Sequence, residues 1–468
     1  MKIRKFGSVL FILICMAFVL GCMTTCSARL PMSDFGNHWV QTHQFQLMIF
    51  SNYLVSPPPN PQPELSRILN LGITGHAWGT PATLALTSSA GMTSHSTIWT
   101  FAADVSGNTI GAAMQTRIKS FMKPDYSDAW YVQDEPKEAD FHAIAVVTEY
   151  LKDATPNALI YSNIGFEDVS PDFLNTYLNT AKPDMLMTDT YPYFTSSKPA
   201  WYPENPKWFN IAMTVRKAAL DRGIPYFCWL EAFQSEPSTG SDAGTVPFSF
   251  RLPSESEMRA EAYTCLTMGY TGLSWFGYDL ADPRTCDFLV DWTTRMPNKS
   301  YYWVQSIDRE VQKLGVYLRF LKSTDVRFVP NKGNSTPEGL TNWSKGAGGD
   351  KYIRDIELSA PAHASPLDRA RDKQDALIGF FTDKKGHEYF MLENLYRSPD
   401  LSASAATSTV TVSFDGGRLP VPGVVYRLDR TTGKSVAVRL VNGSQLRDRL
   451  PGGTADLYSY MPFNLAAM

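Results

Sequence analysis

Between residues 44 and 321 one pattern repeats eight times: a short apolar, β-prone run followed by a stretch with helical spacing. The runs are Phe45 to Tyr53, Ile73 to Gly79, Thr97 to Val105, Ala129 to Glu135, Ala158 to Asn163, Asp184 to Tyr191, Pro225 to Glu231 and Thr271 to Phe276. Successive starts lie roughly 24 to 46 residues apart, the length of one parallel strand, its crossover helix and the loops. Eight such units in about 280 residues match a closed (β/α)8 barrel. An open doubly wound sheet uses the same alternation, but no GxGxxG follows an early strand. The expected fold is therefore α/β, a TIM barrel over residues 44–321.

Local signals agree with this frame. Ser254 and Glu257 have capping-box spacing ahead of Met258 to Met268. Pro136 suits a first helical position, with Ala143, Val146, Val147 and Leu151 at helical spacing behind it. Tyr301 to Leu321 carries Val304, Ile307, Val311, Leu314 and Leu318, a last helix closing the barrel. Beyond Lys322 the texture changes. Gly, Ser, Asn and Thr cluster from Ser323 to Gly349, and β-like runs follow at Ala376 to Phe381, Tyr389 to Leu395, Thr409 to Phe414 and Val424 to Leu428. Turn signals at Asp415-Gly416-Gly417, Thr432-Gly433 and Asn442-Gly443 separate several of them, so residues 322–468 are expected to form a smaller antiparallel β-sandwich.

The N-terminus predicts export. Lys2, Arg4 and Lys5 precede a largely apolar run from Phe6 to Leu20, a signal peptide over residues 1–21. Val19-Leu20-Gly21-Cys22 resembles a lipobox, which implies lipidation of Cys22, a tether over residues 22–43 and residence in a bacterial cell envelope. Contact with the membrane is expected through that anchor alone. Lys plus Arg number 43 against 46 for Asp plus Glu, a net charge of -3, which leaves no basic surface for a nucleic-acid backbone. Cys26, Cys228, Cys265 and Cys286 show no CxxC or Cys/His spacing, so neither a metal nor any other cofactor is expected.

Barrels carry chemistry at the C-terminal ends of their strands. The fourth run ends Tyr131-Val132-Gln133-Asp134-Glu135-Pro136, and the seventh ends Trp229-Leu230-Glu231-Ala232-Phe233. Two carboxyls facing one another across a pocket can cleave a glycosidic bond, one protonating the leaving oxygen while the other attacks or activates water. Aromatic residues, at 13%, fit both a bulky core and a cleft that stacks sugar faces. His76 and Trp78 end the second run, Asp104 the third and Asn163 the fifth, and these are candidate substrate contacts together with Asp189. Trp229 reads as packing. Asp134 could also serve only as a helix cap.

At this point the chain resembles glycoside hydrolase clan A, barrels whose fourth strand commonly ends Asn-Glu-Pro where this one has Asp134-Glu135-Pro136. The resemblance implies hydrolysis of an oligo- or polysaccharide, with Glu135 as acid/base and Glu231 as nucleophile. It also implies Tyr191, in Thr188-Asp189-Thr190-Tyr191-Pro192, as the tyrosine that bonds the nucleophile, and Trp275 as the floor of the sugar site. Such a retaining pair would stand about 5–5.5 Å apart. Asp in place of Asn is a departure. Adjacent Asp and Glu also resemble substrate-assisted β-N-acetylhexosaminidases, in which the Asp steers the acetamido group and the Glu is the acid. Glu231 turned away from the cleft, with Asp134 and Glu135 both inside it, would mark that second mechanism. A non-catalytic carbohydrate-binding surface lipoprotein would keep Trp78 and Trp275 without needing both Glu.

Overall fold

A computed structural model describes residues 32–468, apart from 58, 123–127, 196–204, 206, 236–248, 280–287, 332–334, 360–374 and 400. Its centre is a closed barrel of parallel strands: β1 (Gln46–Ile49), β2 (Gly75–Gly79), β3 (Thr93–Thr97), β4 (Ala129–Asp134), β5 (Leu159–Gly165), β6 (Leu186–Asp189), β7 (Tyr226–Glu231) and β8 (Gly272–Phe276). Each strand pairs with its neighbours in sequence order, and β8 closes on β1. Alternation along the strands sorts the side chains. Met48, Tyr131, Tyr161, Met187, Phe227 and Trp229 fill the interior, while Leu47, Ile49, Val132, Ile160, Leu230 and Leu273 face the surrounding helices.

Three sequence expectations are corrected here. The third strand is Thr93–Thr97 and not Thr97 to Val105. Its five residues are all polar, and burial is tolerated because partners meet them. Thr93 Oγ1 donates to Gln46 Oε1 at 2.7 Å, the Ser94 and Thr87 hydroxyls meet at 2.7 Å, and His95 Nδ1 lies 2.8 Å from the Tyr161 hydroxyl. Second, Pro136 does not open a helix. Glu135 before it has φ +44°, so the chain passes through a 3-10 turn at Glu138–Asp140 before helix Phe141–Ala154 begins. Third, the expected tether ends in a helix, Met32–Thr42, which buries Phe35, Trp39 and Val40 against the barrel interior. Trp39 Nε1 donates to Asp128 O at 3.1 Å, and a Cβ on Gly36 would meet Asp184 O at 2.1 Å, so only glycine allows this helix to approach so closely.

The expected capping box forms at the start of helix Glu255–Thr267, with Ser254 N donating to Glu257 Oε2 at 2.9 Å. Helix Lys299–Leu318 precedes the strands β9 (Lys322–Val329), β10 (Ile353–Ser359), β11 (Ala376–Thr382), β12 (Glu388–Asn394), β13 (Ser408–Phe414), β14 (Val424–Leu428), β15 (Ser435–Arg439), β16 (Gln445–Leu450) and β17 (Thr454–Ser459). They form an antiparallel sheet in the order β9-β11-β12-β17-β14-β15 and a smaller one in the order β10-β13-β16. Ile378, Phe390, Leu392, Val410, Val412 and Tyr458 belong to a core of this β region. Leu377, Phe381, Met391 and Leu457 join the barrel's outer core instead. Gly379 and Gly453 let the sheet close on helix Glu255–Thr267, since a Cβ would lie 1.9 Å from Thr267 O and 2.1 Å from Ser256 O respectively.

Candidate active site

The end of β4 is where the chain departs from regular strand geometry. Its register against β5 shifts between Tyr131 and Asp134, which sets Asp134 opposite Asn163. Glu135 follows in a left-handed conformation, φ +44°. That turn is why adjacent carboxylates reach one mouth, where a regular strand would send them to opposite faces. The Tyr131 hydroxyl and Asn163 Nδ2, the latter at 3.0 Å, both donate to Asp134 Oδ1. Burial pushes the Asp134 carboxyl up, opposed by those two donors.

Glu135 is exposed, and it lines one cavity with Asp189 at the end of β6. Burial and then the charge of Asp134 raise Glu135. Burial, then Glu135 and Asp134, hold Asp189 well above the usual carboxylate range. Burial and like charge at one cavity thus both disfavour the ionised forms of Glu135 and Asp189. A cavity of about 250 Å³ opens over them, lined also by Tyr191, Phe250, Phe166 and Lys137. Gly165 makes room for Glu135, because a Cβ there would sit 3.1 Å from Glu135 Cδ. Trp78 borders the mouth, its ring 4.5 Å from Phe50 and 5.2 Å from Trp99, and Tyr191 packs edge-on against Phe233 and Phe250. Glu135, Asp189 and Tyr191 line this cavity, and Asp134, Asn163 and Trp78, which do not, are brought to the mouth beside them.

Four expected site residues are not. Glu231 is fully buried, with Oε2 accepting from Tyr193 N at 2.9 Å. Its own N–H donates to Glu261, and burial plus the Glu261 charge push its carboxyl well above the usual range. It sits beside Arg251, which is ion-paired to Glu257 at 2.5 Å, and it does not line the cavity with Glu135. Trp275 lies on the outward face of β8 and donates from Nε1 to Asp308 Oδ1 at 2.9 Å, so it floors no sugar site. His76 is buried, and burial lowers its imidazole to about 4, leaving a neutral core ring. Asp104 stands in a 3-10 turn, accepting from Phe101 N at 2.8 Å and facing Arg117 at 3.8 Å. Tyr191 flanks Asp189 rather than Glu231, whose bond comes from the main chain of Tyr193. Cys22 lies outside the described residues.

Sequence reasoning passed over Tyr131, Gly165, Trp99 and Phe250. Tyr131 could have been found from strand alternation, which puts it on the same face as Ala129. The others depend on where loops return. Phe250 arrives through an antiparallel pairing of Ser249–Phe250 with Phe194–Thr195. Among the described residues no group of three His, Cys, Asp or Glu side chains is arranged to hold a metal ion.

No family model matches the chain, and no curated protein does. Solved structures align with it at low identity. An exo-β-1,4-mannosidase from Opitutaceae bacterium strain TAV5 aligns at 14% identity and TM-score 0.41, over 58% of this chain and 60% of the mannosidase. An α-L-arabinofuranosidase from Thermotoga maritima aligns at 10% identity and TM-score 0.44, over 90% of this chain and 96% of that one. A psychrophilic family 10 endo-β-1,4-xylanase aligns at 11% identity and TM-score 0.37, over 58% of this chain and 98% of the xylanase.

Proposed function

We propose that the protein hydrolyses O-glycosidic bonds of an oligo- or polysaccharide by a substrate-assisted route, with Glu135 as proton donor and Asp134 steering the sugar's 2-acetamido group. The observation that carries this reading is the arrangement of Asp134. Two donors converge on Oδ1 and fix the carboxylate beside Glu135, which is exposed and lines the cavity. In the first step the acetamido carbonyl oxygen attacks the anomeric carbon as Glu135 passes its proton to the departing glycosidic oxygen. Asp134 accepts the acetamido N–H, on which positive charge builds. Water then adds to the anomeric carbon, its proton returns to Glu135, and the acetamido group is restored with net retention.

The two-glutamate route is disfavoured because Glu231 is buried away from the cavity. Asp189 does not replace it, since burial and the Glu135 and Asp134 charges disfavour the ionised form that a nucleophile needs. Comparing aryl 2-acetamido-2-deoxyglycosides with the same aryl glycosides lacking the acetamido group tests this. Hydrolysis of the first set alone, lost in Glu135→Gln, is expected; equal turnover of both sets rules the route out.

The charged start and Cys22 support export to the bacterial cell envelope on a lipid anchor. Radiolabelled fatty acid should enter the wild type but not Cys22→Ser, and equal labelling would reject the anchor.

A further inference from the structure

Strands β1 and β8 are neighbours in the barrel and lie across the mouth from β4 and β5. The loops that leave them meet in a second built surface. Val290 and Pro297 pair antiparallel, closing a hairpin that presents Trp292 at 42% exposure. Within it Arg295 adopts a left-handed backbone, φ +57°. Its guanidinium lies 4.6 Å from the ring centre of Tyr53, which follows β1, and 5.3 Å from that of Trp292. Below the rings Arg295 is ion-paired with Asp279 at 2.7 Å and Glu64 at 3.2 Å. Arg67 ties the same base together, donating to Arg295 O and to Glu64 at 2.9 Å each.

A single exposed aromatic side chain needs no explanation. A Trp and a Tyr set against one guanidinium, itself ion-paired to two buried carboxylates, present aromatic faces on a fixed base whose cation is balanced by its ion pairs. Such a surface does not select an anion. It suits the flat C–H face of a neutral pyranose ring, which gains from an aromatic platform without having to order it.

We propose that Tyr53 and Trp292 form a sugar-stacking subsite, remote from the bond cleaved, that holds a distant unit of a polysaccharide crossing the mouth. The ligand class rests on the glycosidase reading above, whereas the platform's geometry does not. A substrate of several units reaches both the platform and Glu135, and a short one reaches the carboxylates alone. The subsite therefore favours long substrates.

Native gel retardation by soluble glycol chitin, mannan and xylan tests binding without requiring turnover. At least one polymer should slow the wild type, and Trp292→Ala should weaken that retardation roughly tenfold, the order of one lost aromatic stack. Trp292→Phe should recover most of it. Val436→Ala, which trims an equally exposed apolar residue on β15, controls for lost surface. For a polymer that is hydrolysed, the Trp292→Ala loss should fall on KM rather than kcat. Unchanged retardation in a folded Trp292→Ala, or no retardation of the wild type by any of the three, overturns the subsite. Retained hydrolysis by Glu135→Gln would instead overturn the catalytic reading and leave the platform standing.

Discussion

Glu135 and Glu231 hold equivalent places, each closing a barrel strand at its C-terminal end, yet they live in opposite surroundings. Glu135 is exposed, turned by a left-handed backbone into a cavity that Asp189 also lines. Glu231 is sealed under Tyr193 and set among Glu257, Glu261 and Arg251. Position along a strand thus nominates a catalytic carboxyl, but the elements that fold back over the strand end decide whether it can act. At β4 those elements leave a gap, made partly by Gly165. At β7 the capped helix Glu255–Thr267 and the segment around Tyr193 fill it.

The largest expected effect tests this contrast. Glu135→Gln should lower kcat by about 10²–10⁴, the usual contribution of a general acid. Glu231→Gln should leave turnover within a few-fold, because its carboxyl meets no substrate. Steady-state kinetics on the best substrate checks both. If both variants lose activity alike, the contrast collapses and Glu231 returns as nucleophile.

How much of this was legible depends on how local each cause is. Seven of the eight strands announce themselves as apolar runs, because strands covered on both faces must be apolar. Thr93–Thr97 does not, since its burial rests on side-chain partners supplied by other strands. The outward direction of Trp275 was readable from alternation with Leu273, both in the outer core. The left-handed turn at Glu135 was not, because a glutamate carries no signal for φ > 0. The burial of Glu231 was not legible either, as its partners come from positions 193, 251, 257 and 261.

The buried carboxyls also predict a pH-dependent stability. Burial raises Glu393 to about 8 and pushes Glu231 and Glu261 well above the carboxylate range. An unfolded Glu titrates near about 4.3, so above that pH the unfolded chain has released protons that the folded one keeps. This stabilisation is complete below the unfolded pKa and is lost as pH rises through the folded one. Each such group steepens the fall by up to about 1.4 kcal/mol per pH unit. Thermal unfolding should show Tm falling from pH 5 to pH 8, with the slope flattened by Glu393→Gln and by Glu231→Gln, and less by Glu135→Gln. Equal flattening by Glu135→Gln would mean the two strand ends are alike in burial after all.

Next in size is the outward face of β8. Trp275→Phe removes the donor to Asp308, whose carboxyl is fully buried. Leaving that group unanswered should cost about 1–3 kcal/mol in denaturant unfolding. Turnover should hold, and a selective loss of activity would restore Trp275 to the sugar site.

The smallest effect asks whether the mouth of β4 is ordered for catalysis or only packed. Tyr131 and Asn163 both spend a donor on Asp134 Oδ1. If that convergence exists to keep Asp134 ionised and aimed, Tyr131→Phe removes one donor to the charged form and leaves the ring stacked on Tyr161, 5.1 Å away. The Asp134 carboxyl, already raised by burial, should then rise further, since a hydrogen bond to the carboxylate lowers its pKa. The acidic limb of the pH profile should move to higher pH, and kcat at the optimum should fall roughly tenfold, the worth of one charge-assisted bond of about 1.4 kcal/mol. A packing role alone would lower Tm without moving that limb. An unmoved limb would leave Asp134 a structural partner of Tyr131 and place the chemistry on Glu135 and Asp189 alone.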